Sequence, residues 1–260
     1  MLTNAKKNVA QNQDTDLVQY VKNELLMSSL FELVKRSGGY KVTNDTLLVP
    51  SPWMYTMNTR EAFNNSREVI WSGRAYTEKP SICNYIQRVG SDIYTFPLFN
   101  KQFLDIIRKE IRNIQNLNMF EPNSEDPEDV RIEEFILNRM CPEWYMALLH
   151  NIIYDMNMVF YYLFGQQVGS GDIQIANYKD DKIKQTGWHH DVDADISMVV
   201  PLNTGEYKGG GTEFFNRGVV DPLPNGTGLI FPSMTHAHRG LPVESGERLL
   251  LVFWLKIVPK

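Results

Sequence analysis

The chain has little cysteine: Cys83 and Cys141 are the two among 260 residues. That excludes a disulfide-built scaffold and a cysteine-rich zinc site. It also lacks an excess of basic charge. At a net charge of −5, a nucleic-acid surface built from Lys and Arg is not expected. No apolar run is long enough to span a membrane, and the polar stretch from Met1 to Asp16 offers no signal or anchor. These absences point to a reducing compartment, the cytoplasm, with neither nucleic acid nor membrane as partner. What is present suffices for one large domain, or one domain with an added N-terminal piece: 43% of the residues are hydrophobic.

Along the chain, helical periods come first. Asp14, Thr15 and Asp16 are N-cap candidates. Leu17, Val18, Val21, Leu25, Leu26, Leu30 and Leu33 follow helical spacing until Gly38-Gly39, as an amphipathic helix for the core or a partner subunit. Thr46 to Val49 reads as a short strand stopped by Pro50. Trp53 to Ser91 is irregular and aromatic-rich, with no function assigned. Phe103, Ile106, Ile107, Ile111, Ile114 and Leu117 make the stripe of a second amphipathic helix. Glu121 to Glu134 carries seven acidic residues with Pro122 and Pro127, a composition that favours a surface loop. That loop is either a solvated linker or a lid whose charge attracts a lysine-bearing substrate. Pro142 then starts a long helix ending near Gly165, in which His150 reads as a core or surface histidine.

After Gly169-Ser170-Gly171 the period changes to strands. Ile173 to Tyr178, Asp195 to Leu202, Thr212 to Phe215, Gly228 to Phe231 and Leu249 to Leu255 are short β-branched or aromatic runs with turn residues between them. Helices followed by strands predict an α+β fold: a double-stranded β-helix, or jelly roll, covered by helices on one face. Gly209-Gly210-Gly211 lacks the Lys-Ser/Thr and the helix of a phosphate loop, and reads as a tight turn.

The chemistry is concentrated in the strand region. Of the five histidines, four fall in two pairs, His189-His190 and His236/His238. The ordered set His189-x-Asp191 and a distant histidine is that of a 2-His-1-carboxylate iron(II) site. On a strand, residues i and i+2 share a face, so His189 and Asp191 can point at one ion while His190 points away. His236 and His238 also share a face, and spacing does not choose between them. Arg248, on the apolar run that ends at Leu255, can hold a carboxylate through a bidentate pair worth roughly 1.5–3 kcal/mol. Each element alone has an ordinary structural explanation: a hydrogen-bonded His–Asp pair, a buried ion pair. Their ordered combination favours iron. Asp193 and Asp195 lie close by, either to bind a substrate ammonium or to stay solvated.

His189-His190-Asp191, Pro201-Leu202-Asn203, Gly209-Gly210-Gly211-Thr212-Glu213-Phe214, His236-Ala237-His238-Arg239-Gly240-Leu241-Pro242 and Arg248 together resemble the catalytic domain of collagen lysyl hydroxylases. These belong to the iron(II)- and 2-oxoglutarate-dependent dioxygenases. Asp92-Ile93-Tyr94-Thr95-Phe96-Pro97-Leu98-Phe99 is similar to the segment that opens that domain. The resemblance runs from about Asp92 to Trp254 and departs at Thr212, where that family usually has Cys. It implies His189, Asp191 and His238 as metal ligands, so His238 over His236, with no catalytic side chain beyond the metal centre. It implies Arg248 and Tyr178 as co-substrate residues. Iron(II), 2-oxoglutarate and dioxygen are the implied cofactors, with L-ascorbate as a reductant. The implied organisation is an N-terminal helical and irregular extension over 1–91 and the jelly-roll domain over 92–260. Stand-alone relatives of this type are viral and microbial, which would extend the compartment to the host cytoplasm or virion. The implied reaction is hydroxylation of a peptidyl lysine, in collagen-like repeats among other contexts, with release of succinate and CO2. Peptidyl proline or a small molecule on the same iron core is the second expectation, and a non-enzymatic jelly-roll binding module the third. A homodimer is the implied assembly.

Overall fold

The computed structural model describes residues 39–48, 54–71, 81–123 and 127–258. Helical elements come first. A 3-10 helix, Asp45–Leu48, precedes helix α1 (Met57–Trp71). A second 3-10 helix, Ser81–Asn84, leads into the hairpin β1 (Gln87–Gly90) and β2 (Ile93–Pro97), and helix α2 (Lys101–Asn116) follows. Two short strands, β3 (Glu121–Pro122) and β4 (Glu133–Ile136), then helices α3 (Leu137–Met140) and α4 (Pro142–Phe164), complete the first half. The second half is strands: β5 (Val168–Lys179), β6 (Ile196–Pro201), β7 (Lys208–Gly209), β8 (Thr212–Phe214), β9 (Gly218–Val220), β10 (Thr227–Pro232), β11 (His238–Gly240), β12 (Val243–Ser245) and β13 (Glu247–Ile257).

Local chemistry explains these bounds. Asn100 caps α2 by accepting the Phe103 N–H at 2.8 Å, and Phe103, Ile107, Ile111 and Ile114 bury the expected stripe. Glu110 is also buried on this helix; it is satisfied by the Thr43 N–H at 2.6 Å and the Thr43 hydroxyl at 2.8 Å. Pro142 opens α4, and Gly165, at φ 66°, closes it in the left-handed conformation that glycine tolerates. His150 lies on α4, stacked on Tyr154.

The large antiparallel sheet runs β1-β2-β10-β6-β13-β5-β4-β3, beside a sheet β11-β8-β9 and a pair β12-β7. This is the expected double-sheet jelly roll. Strand β13 is central, paired with β5 on one side and β6 on the other. It reads as a continuous apolar run because both of its faces are covered. Leu251 and Phe253, with Ile173 and Ile175 opposite them, are fully buried on one face; each such side chain contributes roughly 1.5–3 kcal/mol by burial. Helix α4 packs against β5. It holds the strand's start through Asn157, which donates to Val168 O at 2.9 Å and accepts its N–H at 2.7 Å. Arg248, Leu250, Val252 and Trp254 face the other way, toward the small sheets. Phe214, Phe231, Leu229 and Ile93 fill a second cluster. Lys41–Lys260 make one compact unit.

Three expectations are corrected. The strand expected over Thr46 to Val49 is not formed by its described residues, Thr46 to Leu48: Asn44 Oδ1 accepts from the Thr46 N–H and hydroxyl at 3.1 and 2.6 Å, an Asx turn that starts the 3-10 helix instead. The irregular stretch from Trp53 to Ser91 contains α1. The Thr56 hydroxyl caps it by accepting the Thr59 N–H at 3.1 Å, and its buried contacts include Ala62 and Phe63. In sequence the polar run from Asn64 to Glu68 interrupts its apolar positions and leaves no readable stripe. Within the acidic segment, Glu121 and Pro122 pair with Glu134 and Glu133 to extend the sheet. Pro122 is tolerated there because β3 is an edge strand. The expected helix over Leu17 to Leu33, and any dimer contact through it, lie outside the described residues. No helix among the described residues is long and apolar enough to cross a membrane.

Candidate metal centre

His189 and His238 meet through the backbone. The His189 N–H donates to His238 O at 3.0 Å, and the His238 N–H donates to His189 O at 2.9 Å. This isolated antiparallel bridge sets the imidazole centroids 4.4 Å apart. Asp191 does not share a strand with His189, as the i, i+2 argument had supposed. It begins a turn in which Ala194 N–H returns to Asp191 O at 3.1 Å, and the turn swings the carboxylate to the same side. One ligand atom from each of His189, Asp191 and His238 lies within 4.8 Å of the others. Asp191 Oδ1 is 3.6 Å from His189 Nε2, and Oδ2 is 3.8 Å from His238 Nε2.

The imidazoles are oriented for this. His189 Nδ1 lies 2.9 Å from Gly187 O, and His238 Nδ1 lies 3.0 Å from His236 O. A carbonyl only accepts, so both Nδ1 atoms carry the proton and both Nε2 lone pairs face the centre. Burial holds the pKa of His238 down at about 4, against the opposing pull of Asp191 and with help from His189. His238 is therefore neutral at pH 7. His236 is turned away: its Nε2 reaches Ser91 O at 2.8 Å and its Nδ1 the Thr235 hydroxyl at 3.0 Å. His190 is exposed at the rim.

The centre opens into a cavity of about 330 Å³. Its floor is the alternating face of β13 and β5: Arg248 opposite Tyr178, Leu250 opposite Ala176, Val252 opposite Gln174. Arg248 is 4% exposed, with its guanidinium carbon 5.2 Å from the Tyr178 ring centre. Its Nε and Nη1 have no partner among the described residues. A buried cation with unpartnered N–H groups is costly unless a ligand anion completes it. Asn203 straddles this position: it donates to Glu247 O at 2.8 Å and accepts the Leu249 N–H at 2.9 Å. Gly210, at φ 76°, lets the Arg248 stem pass; a Cβ there would stand 3.2 Å from Arg248 Cδ. Two neutral imidazole nitrogens and one carboxylate suit iron(II) with positions left open. The Arg248 cradle at the far end suits the remote carboxylate of a 2-oxo diacid. The residues present therefore fit iron(II) and 2-oxoglutarate.

The two neighbouring aspartates separate. Asp193 lines the cavity, whereas Asp195 Oδ2 accepts the Ile257 N–H at 2.8 Å and is used by the fold. The wall also includes residues not singled out from the sequence: Asn123, Ile132, Gln174, Thr186, Val252 and Trp254. Counting by twos from Arg248 and Tyr178 would have found those on β13 and β5. Thr186, whose hydroxyl accepts the Gly240 N–H at 2.7 Å, carries no such signal.

Residues 173–256 match the model of the 2OG-Fe(II) oxygenase superfamily. Over that stretch the chain is similar to the 2OG-Fe(II) oxygenases. The enzymes of this superfamily use iron(II), 2-oxoglutarate and dioxygen, and the residues just described fit the first two. Over 94% of its length the chain is 24% identical to mouse procollagen-lysine,2-oxoglutarate 5-dioxygenase 1, of which it spans 36%. In structure the chain is similar to a Pseudomonas putida prolyl-4-hydroxylase: TM-score 0.53, 18% identity, 64% of this chain and 92% of that one. It is also similar to a Trichoplax adhaerens prolyl hydroxylase solved with a hypoxia inducible factor peptide: TM-score 0.53, 13% identity, 76% of this chain and 90% of that one. These two likenesses concern the fold.

Proposed function

We propose that the chain is a peptidyl hydroxylase acting first on lysine, with His189, Asp191 and His238 as the iron ligands. The observation that carries the co-substrate reading is Arg248, buried in the same cavity as the three ligand side chains with its Nε and Nη1 lacking hydrogen-bond partners among the described residues. Arg248 binds the remote carboxylate of 2-oxoglutarate, and Tyr178 forms the wall beside it. Leu250 and Val252 keep the floor apolar, so that water is excluded and the charged contacts strengthen. When bound, the cofactors supply an oxidative decarboxylation to succinate and CO2 coupled to hydroxylation of the substrate. Lysine as the target is supported by the likeness to the mouse procollagen-lysine enzyme along nearly the whole chain.

The test is mass spectrometry of lysine-containing and proline-containing Gly-x-y peptides after anaerobic loading with iron(II) and 2-oxoglutarate and exposure to air. One oxygen gained on lysine is the expected result. Oxygen on proline alone would move the target to proline, and succinate without modified peptide would leave the oxygenase and discard both peptide readings.

A further inference from the structure

Beside Asp191 lies a pair of buried hydroxyls outside the ligand set. Ser197 is the second residue of β6, in the otherwise apolar run Ile196–Pro201, and Ser233 directly follows β10. Both are fully buried. Ser197 Oγ donates to Asp191 Oδ2 and lies 2.7 Å from Ser233 Oγ. An ionised carboxylate only accepts, so the Ser197 proton goes to Asp191 and the Ser233 proton goes to Ser197. Ser233 is itself held, its N–H donating to Asp195 O at 3.0 Å. It also opens the six-residue path, Ser233 to His238, that delivers the other histidine. The two hydroxyls thus join the segment bearing Asp191 to the segment bearing His238.

Resting on the ligand reading above, we propose that Ser197 and Ser233 are positioning residues that hold Asp191 to one-oxygen ligation. With Oδ2 occupied by the Ser197 hydroxyl, Oδ1, the oxygen nearer His189 Nε2, is the metal ligand. A carboxylate free to rotate can chelate through both oxygens. That would take a position needed by the bidentate end of 2-oxoglutarate. Outer contacts of this kind govern both ligand orientation and metal affinity.

The test uses the full chain loaded with cobalt(II). Metal affinity is read by titration, coordination by the visible cobalt spectrum, and folding by the melting temperature of the metal-free protein. Ser197→Ala should weaken metal binding roughly 10–100-fold, alter the cobalt spectrum and raise the 2-oxoglutarate requirement, with the metal-free protein still folded. Ser197→Thr keeps the hydroxyl and should restore affinity and spectrum. Ser233→Ala should shift both in the same direction by less. Wild-type affinity and spectrum in a folded Ser197→Ala variant would overturn the proposal, as would a folded Ser197→Thr variant as impaired as the alanine one. If wild type binds cobalt(II) no better than His238→Ala, the ligand reading itself fails, before any serine variant enters.

Discussion

Arg248, as the proposed co-substrate anchor, would serve function at the expense of stability. Its Nε and Nη1 are buried with no hydrogen-bond partner among the described residues, and a charge-assisted pair with a ligand carboxylate would be worth roughly 1.5–3 kcal/mol. Arg248→Met should therefore raise the KM for 2-oxoglutarate about 10–100-fold, which steady-state succinate release would measure. Iron affinity should hardly change; an equal loss of both would remove Arg248 from its role. The same variant should melt higher without ligands, because an uncompensated buried charge is replaced by an apolar side chain. Cys141 gives a second residue-scale test. Burial pushes its thiol up to about 11, so the native protein at pH 8 should resist iodoacetamide at this position, and mass spectrometry should find it alkylated only after unfolding. Alkylation of the folded chain would contradict its burial.

At the scale of elements, legibility followed periodicity. Helix α2 was readable from its apolar stripe, and helix α4 from its apolar run between an opening proline and a closing glycine. Strand β13 was readable from its unbroken apolar run, and Arg248 stood out against it. Helix α1 was not readable, since the polar run from Asn64 to Glu68 breaks any periodic signal. Strands β3 and β4 were masked by charge: the acidic composition said loop, while the pairing depends on cations elsewhere in the chain. Burial alone would raise Glu133, but hydrogen bonds from Lys179 and Lys182, at 2.7 and 2.5 Å, outweigh it and hold the carboxyl below its ordinary 4.5. A carboxyl lowered by folding adds stability above its unfolded value, and that contribution disappears as pH falls through the folded one. The stability difference between wild type and Glu133→Gln should thus be present at pH 7 and shrink below pH 4.5, as denaturant titrations at several pH values would show. A difference independent of pH would assign the effect to packing. Between His236 and His238, spacing was silent, and the family likeness named the residue that the fold brings to the centre. The reason lies in a distant turn: Ser91 O, which holds His236, is contributed by the β1–β2 connection.

For the whole molecule, the candidate ligands come from segments that only the completed jelly roll brings together, so metal binding and folding are linked. Cobalt(II) at a hundredfold excess over its Kd should add about 2.7 kcal/mol. For a chain of this size that raises the Tm by on the order of 5–10 °C, readable by calorimetry. His238→Ala should abolish the shift; its persistence would place the metal elsewhere. Substrate preference was the least legible property, because no motif spacing reports on the outer cavity wall, where Asp193 sits in a turn and Asn123 and Ile132 flank the short strands β3 and β4.

The mounting of Arg248 on β13 has a consequence for co-substrate choice. The strand is hydrogen-bonded on both sides and clipped by Asn203 next to the arginine, so the backbone that carries the guanidinium is fixed in the sheet. With Arg248 as the proposed carboxylate anchor, its span to the imidazoles would act as a gauge for chain length. A diacid one carbon shorter, such as oxaloacetate, would leave one end unbound, and one carbon longer, 2-oxoadipate, would have to buckle. On that proposal, discrimination among 2-oxo diacids would be a property of sheet rigidity more than of any contact the molecule makes along its middle.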